Sequence, residues 1–502
     1  MAKVLIIGAG GAALSAAISA KEQGAEVIVV TKEYPTRSQT CMAQGGINAA
    51  ISKEDSIDSH IADTLKSAKG LADEKAIELM CSKAPEAISW LDSIGVPFSR
   101  TQDAKIAQRR LGGATHPRAC YAQDYTGLKI LHTLYDYANK LEITFLNERF
   151  LLELLVEDNR AYGALFLNIR SGEVEAITAD SVIIATGGYS KLYNTHSTNS
   201  KAATGDGIAA AARVGAKLSN MEFVQFHPTA LKSSAILISE SARGAGGKLL
   251  NSKGERFVDE LKPRDEVSLA IYKEMQKGED ILLDITHLGE AFIEEELPQE
   301  RKLAILYEGI DPVKAPLPIK PAAHYTMGGI AVDLAMQSSI EALYAVGECS
   351  ESKVHGANRL GGNSLLEIVV FGKIAGENAA KQKATQQKEP LEPIKKAKEK
   401  LQKLLQKEPK ANFYQTRVTL GDLFYTKCGI KRNAKELEEL VEFIEQTKAS
   451  LTDFGISDTN KSYNTNLTDY LEFENILQVA EFVAKGALDN QESIDAHRRS
   501  DI

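Results

Sequence analysis

Apolar residues in this chain gather into short, nearly continuous runs that end at glycines. Val4-Leu5-Ile6-Ile7 precedes Gly8-Ala9-Gly10-Gly11-Ala12-Ala13, a helical stretch continues to Lys21, and Val27-Ile28-Val29-Val30 follows. An apolar run without polar alternation suits a strand covered on both faces, so residues 4–30 read as strand, glycine turn, helix, strand. Two later runs behave alike: Ser181-Val182-Ile183-Ile184-Ala185-Thr186-Gly187-Gly188 and Leu343-Tyr344-Ala345-Val346-Gly347-Glu348. Three such strand ends, far apart in sequence, predict one nucleotide-binding sheet interrupted by an insertion. The expected class is α/β. A Rossmann-like domain is expected in residues 1–220 and 326–381, with an inserted α+β capping domain at 221–325.

Beyond Lys381 the pattern changes to lysine, glutamine and glutamate, punctuated by Pro390, Pro393 and Pro409. Ile394, Ala397, Leu401 and Leu405 share one helical face; Leu437, Leu440, Val441 and Ile444 share another behind an Asn433/Glu436 cap. Residues 382–502 therefore read as a helical C-terminal domain, and the lysines between Lys395 and Lys410 as its solvated face.

Composition narrows the function. A net charge of −9 over 502 residues argues against a nucleic-acid surface, while leaving room for a local cationic pocket. The five cysteines are scattered, so neither a disulfide framework nor four thiolates for an iron–sulfur cluster is expected; any cluster belongs on another chain. The N-terminus runs directly into a strand without an export signal, and no apolar stretch approaches the ~18 residues of a spanning helix. The expected location is cytoplasmic, or peripheral on the cytoplasmic face of a membrane through partner subunits.

The first glycine turn has the form Gly-x-Gly-x-x-Ala, which lets backbone approach a pyrophosphate at a helix N-terminus. An NAD site places an acid about 20 residues further on, at the end of the second strand. Here that end reads Val30-Thr31-Lys32 with Glu33 late, which disfavours NAD. The segment from Arg37 to Ala50 adds hydroxyls, amides and paired glycines suited to a flat heterocycle. Five further segments carry acid, base and carboxylate-clamping side chains. They are Phe226-His227-Pro228-Thr229, Ser239-Glu240-Ser241-Ala242-Arg243, Pro263-Arg264-Asp265, the run from Ala323 to Gly329, and the run from His355 to Ser364. Taken singly, His227 or His324 reads as a satisfied core histidine, and Arg264 beside Asp265 as a surface pair. Taken together they suggest a flavin held against a small dianion.

These segments, with Thr31-Lys32 through Ala50, Thr204-Gly205-Asp206-Gly207 and Gly356-Ala357-Asn358-Arg359, resemble the flavoprotein subunit of the succinate dehydrogenase/fumarate reductase family, a superfamily that includes L-aspartate oxidase. The resemblance covers residues 3–380 well and the helical tail more loosely. It implies FAD held by Gly8, Gly10, Gly11, Lys32, Ser38, Gln39, Thr40, Gly45 and Gly46, with Asp206, Glu348, Ser364 and Leu365 contributing from later segments. Respiratory members carry a histidine bonded to the flavin where this chain has Gln39, so the flavin is expected to be non-covalent, which favours fumarate reduction over succinate oxidation. His227 and Ser239 are expected to hold one substrate carboxylate, and His324 and Arg359 the other. Arg264 is implied as proton donor, reloaded through Glu240 and Arg243. No metal ligands are implied. The implied partners are fumarate or succinate, an iron–sulfur subunit and a membrane anchor subunit.

L-aspartate oxidase is the competing member, because the run Asp55-Ser56-Ile57-Asp58-Ser59-His60 and Pro321-Ala322-Ala323-His324 also resemble it. Those oxidases place a glutamate before the Gly-Gly of a substrate-covering loop to meet the ammonium. This chain has Leu111 before Gly112-Gly113, which favours a plain dicarboxylate. The ending at Ile502 lacks the further C-terminal domain of respiratory subunits, which sets docking of the iron–sulfur subunit in doubt.

Overall fold

The glycine-ended apolar runs do pair with one another. A computed structural model describes residues 1–384 and 389–502. Strands β1 (Lys3–Ile7), β2 (Glu26–Thr31), β3 (Thr144–Asn147) and β4 (Ser181–Ile184) lie in one sheet. The chain then leaves that sheet for β5 (Val224–Leu231), β6 (Lys248–Leu250), β7 (Ile281–Asp284) and β8 (Leu317–Thr326), and returns to it as β9 (Leu343–Ala345). The five-stranded order is β9-β4-β1-β2-β3, parallel throughout. Both faces are covered over β1, β4 and β9 and most of β2, which explains why these strands are nearly unbroken apolar runs, while the edge strand β3 is partly exposed. Helix α1 (Gly11–Glu22) packs its alanine-rich surface against a second buried helix, Asn363–Ala380.

The excursion has a different logic. Strands β5 to β8 form an antiparallel sheet in the order β5-β8-β7-β6. A separate apolar cluster, including Ile238, Leu249, Val267, Ile271, Leu283 and Leu317, fills the space between this sheet and the helix Arg264–Met275. Among the elements that the hydrophobic pattern leaves unmarked is a three-stranded antiparallel sheet of Arg149–Glu157, Arg160–Asn168 and Val174–Thr178. Its middle strand is buried along nearly its whole length and so carries no alternation to betray an antiparallel partner.

The last quarter of the chain is helical, as expected. Helix Leu391–Gln406 buries Ala397, Leu401 and Leu404 and turns most of its lysines to solvent. Helix Ala434–Ala449 starts at Asn433, whose side chain accepts the Glu436 N–H at 3.0 Å while Glu436 reaches back to Asn433. Among the described residues, no helix is long and apolar enough to cross a membrane.

Candidate active site

One cleft, roughly 1700 Å³ including its open mouth, runs from the β1 glycine turn to the antiparallel sheet. At the first end, Gly8 has φ +111°, and a Cβ there would lie 2.1 Å from the Ala185 carbonyl oxygen at the end of β4, so only glycine fits. Thr40 Oγ1 accepts the Gly11 N–H at 3.0 Å and binds the glycine turn to the following loop. Lys32 closes the far corner with Asp206 and Glu472, each at 2.7 Å. Burial opposes the Lys32 charge, but the two carboxylates outweigh it and raise its pKa. Glu348 accepts the Thr326 N–H at 3.0 Å, and burial pushes its carboxyl up to about 7.

All thirteen residues expected at the cofactor line this cleft. Ser38 Oγ, Gln44 Oε1 and Thr186 Oγ1 are buried along its wall without a protein partner. Unpaired polar atoms beside a glycine turn at a helix N-terminus are the complement of a dinucleotide, so the residues present fit FAD. The Gln39 amide is engaged by the protein itself: its Oε1 accepts the Ser200 N–H at 2.8 Å.

The other end of the cleft gathers His227, Ser239, Glu240, Arg264, His324 and Arg359. His227 comes from β5 and His324 from β8, adjacent strands that set their rings 5.0 Å apart. The Thr229 main-chain N–H can only donate, and it points at His227 Nδ1 at 3.2 Å, so the imidazole proton sits on Nε2. Burial and the surrounding arginines hold both histidines well below their usual pKa, that is, neutral. Ser239 caps a short helix, accepting the Ser241 N–H at 3.1 Å, and lines the cleft.

Arg264, at the start of its helix, reaches Glu240 Oε2 with both Nε and Nη2 at 2.8 Å. Behind Glu240 lies Arg243, whose Nη2 is 3.9 Å from the same oxygen. Arg243 does not line the cleft and is buried, with Nη2 lacking a hydrogen-bond partner. Burial disfavours the Glu240 charge, but Arg264 and Arg243 outweigh it and keep the carboxylate ionised. Arg359 stacks over the Tyr325 ring at 4.3 Å; burial and then Arg264 lower its pKa to about 10. Two guanidiniums, Arg264 and Arg359, therefore line this end of the cleft beside two neutral imidazoles, with the Glu240 carboxylate held between Arg264 and the buried Arg243.

The surface-pair reading of Arg264 and Asp265 is overturned. Asp265 instead accepts from Asn358 at 2.8 Å and Arg498 at 3.2 Å, because successive residues on a helix point apart. Sequence reasoning also passed over Gln225, whose Oε1 accepts from Arg264 at 3.3 Å and Arg359 at 3.2 Å. It lies two positions before His227 on β5, and strand alternation was the signal available. Gly112 was noted only as part of a loop. Its N–H donates to Glu240 Oε1, and Leu111 beside it lines the cleft.

Known proteins share this architecture. The "FAD binding domain" family matches residues 3–365, and "Fumarate reductase flavoprotein C-term" matches 417–502. The fumarate reductase flavoprotein subunit of Haemophilus influenzae is 37% identical, over 99% of this chain and 89% of its own length. The 8-methylmenaquinol:fumarate reductase flavoprotein subunit of Wolinella succinogenes is 39% identical, over 99% and 85%. A solved quinol-fumarate reductase with menaquinol molecules superposes with a TM-score of 0.96 at 36% identity, over 100% of this chain and 92% of that one. With the cleft, these matches establish that the chain belongs to the fumarate reductase/succinate dehydrogenase family of flavoprotein subunits.

Proposed function

We propose that the protein interconverts fumarate and succinate, chiefly reducing fumarate. The observation that carries this reading is the convergence of two guanidiniums, Arg264 and Arg359, with the neutral His227 and His324 at one end of an FAD cleft, a donor set suited to the two carboxylates of a small dianion. His227 Nε2–H and the Ser239 hydroxyl hold one carboxylate; His324 and the planar Arg359 guanidinium hold the other. The chemistry supplied by bound FAD is hydride transfer to one carbon of the double bond. Arg264 stabilises the charge developing at the neighbouring carbon and delivers a proton to it, and Glu240 and Arg243 behind it return that proton. Residues 221–325 act as the capping domain that brings this relay over the substrate. Leu111, where an aspartate oxidase needs an acid, gives an ammonium no partner.

FAD is held without a covalent bond, because Gln39 offers an amide where a flavin-linking histidine would stand. The lower flavin potential this implies favours fumarate reduction. Electrons pass to or from an iron–sulfur subunit, through which the protein associates with a membrane. The supporting observation is that relatives across the full chain are named as flavoprotein subunits.

One anaerobic experiment tests the reading. Holoenzyme is given reduced viologen with fumarate, and in parallel L-aspartate with oxygen. Viologen oxidation without peroxide is expected; peroxide from aspartate alone would overturn it. Acid precipitation of the same sample should leave the yellow colour in the supernatant, and a yellow pellet would mean a covalent flavin.

A further inference from the structure

We propose that Gln225, Asn358 and Asp265 form a directed hydrogen-bond chain that positions both active-site guanidiniums, Arg264 and Arg359, and is anchored by Arg498. None of the three chain residues is needed to touch substrate, so all are positioning residues.

The chain solves an electrostatic problem. Arg264 and Arg359 are like charges converging on one buried site, and repulsion would splay them. Gln225 Oε1 accepts from both, at 3.3 and 3.2 Å. The orientation of this amide is fixed. Its Nε2 donates to the Arg359 main-chain oxygen at 2.8 Å, an atom that can only accept, and to Asn358 Oδ1 at 2.5 Å. Asn358 Nδ2 donates in turn to Asp265 Oδ1 at 2.8 Å, while Arg498 Nη2 holds Asp265 Oδ2 at 3.2 Å. The two side-chain amides are therefore aligned in series, from the guanidiniums through Gln225 and Asn358 to the Asp265 carboxylate. Polarisation along such a series makes the Gln225 oxygen a better acceptor where the two cations meet.

The three residues come from segments far apart in sequence. Gln225 lies on β5, Asp265 follows Arg264 on the capping helix, and Asn358 precedes the helix Asn363–Ala380. The chain thereby fixes the proton donor and the carboxylate clamp relative to each other. Asp495 packs beside Asp265, with Lys69 and Arg498 within about 4 Å. Burial, and then Asp265, hold the Asp495 carboxyl above its usual range.

The inference rests on the reaction proposed above, and a double-mutant cycle on holoenzyme tests the two separately. Gln225→Leu should lower fumarate-reducing kcat/KM about 100-fold, Asp265→Asn about tenfold, and the double variant no more than Gln225→Leu alone, because Asp265 acts through Gln225. Gln225→Leu should also raise fumarate KM as well as lower kcat, since it frees the clamp and the donor together; a merely unstable variant would lose active fraction at constant KM. If leucine is not tolerated, Gln225→Met, of similar length but without the amide, enters the same cycle with the same expectation. Losses that multiply, or an unchanged KM, overturn the chain while leaving the reaction standing. Wild-type holoenzyme that never reduces fumarate overturns the reaction and the chain with it.

Discussion

Glu300 shows how a single buried side chain ties stability to pH. It is fully buried, accepts the Ser239 N–H at 3.0 Å through one oxygen, and leaves the other without a partner. Burial, and then the nearby Asp124 carboxyl, push its pKa up to about 8, against a usual 4.5. Between those two values the folded protein holds a proton that the unfolded chain has released, so stability falls as pH rises through that window. Glu300→Gln removes this penalty while keeping an acceptor for Ser239. It should match wild type near pH 4.5 and gain up to about 4 kcal/mol by pH 8. Thermal melts at both pH values decide it, and a gap independent of pH would refute the assignment. The same scale explains which site residues could be read from sequence. His227, Arg264, His324 and Arg359 carry charge or imidazole chemistry inside distinctive neighbours, whereas Gln225 and Glu300 are ordinary residue types whose importance comes from what they face.

Among the elements, the loop carrying Leu111-Gly112-Gly113 fits closely against the proton relay. It is tied down on one side by Arg109, which donates to the Gly45 oxygen at 2.9 Å and the Gln44 oxygen at 3.0 Å. On the other side Asp63 accepts from the Thr115 N–H at 2.7 Å and pairs with the buried Arg118 at 3.1 Å. Held so, the loop presents Gly112 to Glu240, and a Cβ on Gly112 would lie 2.4 Å from Glu240 Oε1. Gly112→Ala should therefore hold the antiparallel sheet and its helices away from the cleft. Turnover should fall at least about tenfold, while the melting temperature shifts by only a few degrees, since the backbone at this position suits any residue. Activity within threefold of wild type would show that the relay tolerates a wider separation. The elements themselves were largely foreseeable: β1, α1, β2, β4, β9 and the C-terminal helices follow from apolar period and caps. The sheet over residues 149–178 was not, because burial of its middle strand on both faces erases the alternation that marks an antiparallel strand.

Over the whole molecule, one C-terminal helix braces the cofactor cleft from behind two of its lining residues, Lys32 and Asp206. Helix Thr465–Asp489 runs beside the helix Asp206–Arg213 and sends Glu472 to Lys32 at 2.7 Å and Asn475 to Asp206 at 2.9 Å. Nearly the full span of the chain thus meets at one corner of the FAD cleft. Glu472→Ala should leave Lys32 paired only with Asp206 and weaken FAD retention by roughly five- to tenfold, a loss typical of one buried charge-assisted contact. The FAD-to-protein ratio after dilution and gel filtration measures this. A lower melting temperature with unchanged FAD content would confine the helix to a structural role.

Short-range order set much of this protein in advance: buried strands, the glycine turn, helix caps and the residue types needed to clamp a dianion all depend on neighbours a few positions away. Folding alone decided which of those groups cooperate. The shared acceptor between Arg264 and Arg359, the contact of Gly112 with Glu240, and the reach of Glu472 to Lys32 join segments far apart in sequence. Hydrogen bonds and ion pairs act only over a few ångströms, and those approaches are fixed by how the sheets and helices pack.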